Sequence, residues 1–194
     1  MIDGISHDPC RVFRKLARNN AAANHRLLEA CAQLQPGAFE APRTGFFPSL
    51  RATLNHILIV DWFYVDALEG GTLGFKAFEH EEPCDSITAL QHAQSAVDRR
   101  LIAFCDGLTM ERLAQTTTIH RGEHLQIERT DDLLSHLFQH QTHHRGQVHA
   151  MLAGTSIKPP QIDEFITRYD APDRADVMQA LGWDERDLGF DPAP

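Results

Sequence analysis

The sequence predicts an all-α protein, an antiparallel four-helix bundle, and three observations carry that expectation. Four segments, each long enough for a helix of ~30 Å, repeat apolar side chains at helical spacing. Loops of moderate length, dense in Pro and Gly, separate the first three of them. A single short stretch, residues 115–128, departs from that rhythm.

The first helix starts at Asp8-Pro9, where Asp8 can cap and Pro9 is tolerated in the first turn. Val12, Phe13, Leu16, Ala17, Leu27, Leu28, Cys31 and Leu34 then recur until Gln35-Pro36-Gly37 ends it. Residues 36–48 hold too many breakers for regular structure. The second helix runs from about Pro48 to Leu68 and stops at Gly70-Gly71. After a loop containing Gly74 and Pro83, Asp85 is the expected cap of a third helix that buries Leu90, Ala93, Val97, Leu101 and Phe104. Residues 115–128 are Thr-rich and partly alternating around Arg121-Gly122, which predicts a small hairpin or extended excursion. Thr130 is the expected cap of the fourth helix, Asp131 to Ala153, closed by Gly154. Short helical pieces are predicted around Asp163–Tyr169 and Ala175–Leu181. Residues 1–170 thus read as the bundle, and 171–194 as an extension packed on it or partly disordered.

Composition narrows the function. With 194 residues the chain suits one domain, and 42% hydrophobic residues suffice for a core. A net charge of -9 with no basic stripe argues against nucleic acid as a partner. No apolar run reaches the ~20 residues of a membrane helix, and Met1-Ile2-Asp3-Gly4 has neither the basic nor the apolar part of a signal peptide, so a cytoplasmic location is expected. Cys10, Cys31, Cys84 and Cys105 lie far apart and form no CxxC, which fits reduced packing residues.

The chemistry is concentrated in histidine. His140 and His144, four residues apart in the fourth helix, project from one face about a turn apart and can share a metal ion. His56 lies in the apolar second helix, among Leu54, Ile57, Leu58 and Val60, and could complete a set of three. His136, one turn before His140, could equally be the third ligand, whereas His143 and His149 fall off that stripe. Three neutral nitrogen ligands leave coordination positions open, the arrangement of a reactive metal rather than a structural one. Gln141 stands where a zinc protease of the HExxH kind needs its Glu, and a di-iron centre would need two Glu-x-x-His pairs that are missing. A GxSxG elbow and a Walker-type loop are also absent. Imidazole suits zinc and nickel alike. Because free histidine titrates near ~6.5, protons are expected to displace the metal below about that pH.

Asn55-His56-Ile57-Leu58 in an aromatic-rich helix, paired with His140-x-x-x-His144-Arg145-Gly146-Gln147 in the last long helix, resembles the DinB/YfiT-like metalloenzyme family. The stretch Asn19–Asn24 and the segment Pro160-Gln161-Ile162-Asp163 resemble it too, so the likeness spans about residues 10–170. The resemblance implies one divalent metal, nickel or zinc, on His56, His140 and His144, and favours His56 over His136. It implies a homodimer, expected to pair through the bundle helices, and a small-molecule substrate. Some relatives are transferases or isomerases that use low-molecular-weight thiols; a non-catalytic metal-binding or stress-response module is the alternative. Asp61, Asp66, Asp163 and Gln147 are candidates to orient the ligands, Gly146 to permit close packing, and Arg145 to form a surface ion pair or bind an anion.

Overall fold

A computed structural model describes residues 8–163 and 167–190. Four long helices, α1 (Cys10–Ala32), α2 (Leu50–Leu68), α3 (Ile87–Asp106) and α5 (Thr130–Ala153), make the predicted bundle. A short α4 (Met110–Ala114) and a hairpin of β1 (Thr116–Arg121) and β2 (His124–Arg129) precede α5, and α6 (Ala175–Leu181) follows it. The strands pair antiparallel from Thr116 opposite Arg129 to Arg121 opposite His124, with Gly122 at φ 69° in the turn.

Side-chain contacts give the order of the helices. Arg18 bonds Asp106, and Gln91 bonds Glu29, so α1 and α3 run antiparallel. Asp61 meets Gln94, and Glu69 meets Arg100, so α2 and α3 run parallel, the one departure from the expected antiparallel order among these neighbours. Consequently the segment between them must climb back along α2. It does so through a 3-10 turn, Gly74–Phe78, and is pinned near its end where Cys84 and Asn55 exchange two hydrogen bonds of 2.8 and 2.9 Å. Neither this turn nor α4 was expected, since five residues are too few to display a helical period.

Helix ends correct three expectations in detail. Ser86, not Asp85, caps α3, its hydroxyl accepting from the Ala89 amide. Thr130 does not cap α5, because the chain passes directly from β2 into the helix. Its buried hydroxyl instead bonds the Gln115 carbonyl at 3.1 Å and the Thr117 hydroxyl at 3.0 Å, tying helix to strand. Gly154 closes α5 with φ −86°, so no left-handed residue is used there; Gly182, at φ 70°, performs that role after α6.

The core is continuous across the four long helices, and all four cysteines are buried free thiols within it. Beyond residue 170, α6 packs Val177 on Ala22 of α1, while Met178, Leu188 and Phe190 form a small cluster of their own. Residues 167–171 form turns and bends, and the remainder of the helical piece expected around Asp163–Tyr169 lies outside the described residues. No described helix is long and apolar enough to cross a membrane.

Candidate metal centre

Helix α2 starts at Ser49, whose hydroxyl accepts from the Ala52 amide at 3.0 Å and fixes the register of the helix. Two turns on, His56 points across the interface with α5 toward His140 and His144. One ligand nitrogen from each of the three lies within 4.8 Å of the others, and they are the one such group among the described residues. The Nε2 atoms of His56 and His140 are 3.0 Å apart. At that distance one imidazole N–H can donate to the other, and a shared ion would take the place of that proton. His144 points its Nδ1 at the Gln147 side-chain oxygen, 2.8 Å away, which leaves Nε2 for the shared centre.

The donor set fits a divalent cation. The three rings crowd together, with centroids 4.4 to 5.0 Å apart; on the side away from the shared centre, the buried Nδ1 of His140 has no hydrogen-bond partner among the described residues. Burial pushes the His56 imidazole down to about 4, helped by the His144 charge. Burial and then the charges of His144 and His56 push His140 down to about 3. His144 is lowered as well, chiefly by burial. Neutral imidazole is the form that ligates, so the site is prepared for a metal well below pH 6.5, which moves the proton competition expected from sequence toward more acidic solution.

Other sequence candidates separate clearly. His136 packs against Tyr64, and its ring lies 6.4 Å from that of His140, farther than His56 does. His143 bonds Gln147, and His149 bonds the Pro160 carbonyl. Of the orienting candidates, Gln147 alone touches a clustered histidine; Asp66 accepts from the Leu73 amide and Asp163 from Gln161. Gly146 has nothing within 4 Å of where a Cβ would stand, so the expected close packing there is not found.

Arg145 also departs from expectation. It is 5% exposed and belongs to the core, not to a surface ion pair. Its guanidinium donates to the side-chain oxygens of Asn20 and Asn24, and both asparagine amides donate to Asp98. Gln94 donates to Asp98 at 3.1 Å and to Asp61 at 2.7 Å, and Gln141 donates to the other oxygen of Asp61. Burial, then repulsion from Asp98, raises the Asp61 carboxyl to about 7; burial raises Asp98 to about 6 and lowers Arg145 to about 10. Gln94, Asp98 and Gln141 were missed from sequence. A signal did exist: Asn20/Asn24, Gln94/Asp98 and Gln141/Arg145 are polar pairs at i,i+4, each beside apolar core positions.

Phe47, from the loop before α2, lies over the histidines, its ring centroid 4.3 Å from His56 and 5.6 Å from His144. Beside it opens a cavity of about 330 Å³ lined by Phe47, Ala52, His56, Ile59 and Phe78, with Glu81 and Glu82 also at its wall. Arg51 holds Glu82 in an ion pair at 2.5 Å.

Comparison with known proteins agrees with this architecture. Residues 7–175 match the DinB family. The chain is 24% identical over 144 residues to Protein DinB of Bacillus subtilis (strain 168), covering 71% of this chain and 83% of that one. It superimposes on the crystal structure of a DinB-like protein from Bacillus cereus ATCC 10987 with a TM-score of 0.58 and 13% identity, covering 76% of this chain and 95% of the other. A DinB-like protein from Bacillus subtilis gives a TM-score of 0.53 at 15% identity, with 72% and 90% covered. At those identities the structural likeness speaks for the fold alone.

Proposed function

The chain belongs to the DinB family, and on that premise we propose that it holds one divalent metal ion, nickel or zinc, on His56, His140 and His144 and acts as a metal-dependent enzyme on a small molecule. The observation that carries this reading is the convergence of three imidazoles from two helices, with no other ligand group joining them among the described residues. Bound there with coordination positions open, the ion would polarise an oxygen or sulfur donor of the substrate. A low-molecular-weight thiol is a suitable co-substrate, because thiolate is a good ligand for either metal.

The chain's own residues supply the rest. Gln147 fixes the tautomer of His144. Phe47, Ile59 and Phe78 form an apolar wall that excludes water and receives the hydrocarbon part of the substrate. With Glu82 engaged by Arg51, Glu81 is the carboxylate placed to accept a proton or a positively charged substrate group. Four free thiols suit the cytoplasm, where we place the protein, and we assign it as a homodimer.

The test is metal reconstitution followed by a small-thiol transfer assay across a panel of electrophiles, with and without chelator. Thiol transfer that needs both metal and His144 supports the enzyme. Full metal occupancy without turnover across the panel would instead favour a non-catalytic metal-binding module.

A further inference from the structure

We propose that the β2 edge of the hairpin is the surface through which two copies of this chain pair, forming a four-stranded antiparallel sheet across a two-fold axis at Gln126. Strand β1 is covered on its outer side by the 3-10 turn, where Gly74 approaches the His120 carbonyl so closely that a Cβ would lie 2.5 Å from it. Strand β2 has no partner on its outer side among the described residues. It nevertheless exposes two large apolar side chains, Leu125 at 56% and Ile127 at 62%. An open edge with apolar centre residues is a template for another strand unless something blunts it.

The occupant is read from the sequence of the edge itself. Two β2 strands placed antiparallel about Gln126 set Leu125 opposite Ile127 and His124 opposite Glu128, each matched twice by symmetry, and bring Glu123 of the turn next to Arg129, whose guanidinium also holds Asp131. Apolar residues therefore meet apolar ones, acids meet basic groups, and Gln126 meets itself. Moving the axis by one residue either way destroys this. Centred on Leu125 it pairs Ile127 with Glu123, and centred on Ile127 it pairs Leu125 with Arg129.

Backbone geometry agrees. In a hairpin with a two-residue loop, Arg121 and His124 form a hydrogen-bonded pair, so Gln126 and Glu128 also turn their amides and carbonyls toward β1. Leu125 and Ile127 then direct theirs outward, where the proposed register needs them. On the long helices, by contrast, Val12 is the one large apolar residue more than half exposed among the described residues, so the helix faces offer less to a second copy than the hairpin does.

The experiment is light scattering of the full chain over a wide concentration range, together with single-cysteine cross-linking. The expected mass is twice 21.8 kDa. Because Gln126 faces its own copy, Gln126→Cys should form a disulfide-linked dimer under mild oxidation, while the four buried native thiols do not. Ile127→Lys, at an exposed position that leaves folding intact, should weaken the dimer roughly tenfold or more. Arg129→Glu should weaken it too, and the double variant Glu123→Arg/Arg129→Glu should restore it. A monomeric wild type overturns the proposal. So does a dimer that survives Ile127→Lys and gives no Gln126→Cys cross-link, which would place the interface on the helices. Since the hairpin contributes no ligand histidine, metal loading of Ile127→Lys should equal wild type, and the two readings fail separately.

Discussion

Two polar clusters lie within one bundle and face opposite fates. The Asp61–Asp98–Arg145 network satisfies its charged atoms: each carboxylate oxygen accepts from an amide and the guanidinium donates to Asn20 and Asn24, while Gln141 Oε1 is its one buried oxygen without a partner among the described residues. The histidine cluster is open: its nitrogens converge, and among the described residues no carboxylate joins them. Buried polar groups that satisfy one another specify a structure; buried polar groups that do not are waiting for something else. The difference separates what holds the four helices in register from what the helices are held for.

The largest effect should come from breaking the charged cluster. Arg145→Ala leaves two buried carboxylates without their cation and should cost about 3 kcal/mol or more in urea unfolding of the metal-free protein. His140→Ala in the same metal-free state should cost less, because it leaves one neutral imidazole, His56, without its bond rather than two buried carboxylates without their cation. Equal losses would erase the distinction between the clusters.

Next comes the stabilisation that metal confers. At free metal about a hundredfold above the dissociation constant, the gain is about 2.7 kcal/mol, visible as a rise in melting temperature. His140→Ala and His144→Ala should remove most of it, and His149→Ala should leave it intact. Gln147→Leu frees the His144 ring and should weaken metal binding by roughly 10–100-fold without abolishing it.

The remaining effects concern pH, and the two clusters carry opposite signs. His56 and His140 titrate at about 4 and about 3 in the folded chain, below the ordinary histidine value. As pH falls below ~6.5 the unfolded chain takes up protons first, so their stabilising contribution is full above that value and is lost toward pH 4. Asp61 and Asp98 are raised to about 7 and about 6, so their contribution is full below ~3.8 and is lost as pH rises toward neutrality. Unfolding of the metal-free protein from pH 4 to 7 should show Asp61→Asn gaining on wild type as pH rises. Metal affinity should persist through about pH 6 and fall steeply only nearer pH 4.

How much of this was legible in sequence follows the same division. The four long helices were readable because apolar spacing over twenty or so residues is a strong signal. The hairpin was readable because Arg121-Gly122 interrupts an alternating run. The histidine pair was readable because i,i+4 spacing on one helix is a local fact. The choice between His56 and His136 was not, since it depends on how α2 and α5 pack, and only the family resemblance favoured His56. Nor was the burial of Arg145 visible: its partners Asn20 and Asn24 lie on α1, and their shared acceptor Asp98 on α3. A charged residue beside a metal motif reads as exposed until the helices that cover it are in place.

That choice also gives the most direct test of the site. Elemental analysis after zinc reconstitution, on wild type, His56→Ala and His136→Ala, decides which histidine joins His140 and His144. We predict one ion per chain in wild type and in His136→Ala, and its loss in His56→Ala. Full loading of His56→Ala, with loss in His136→Ala, would contradict the site described here.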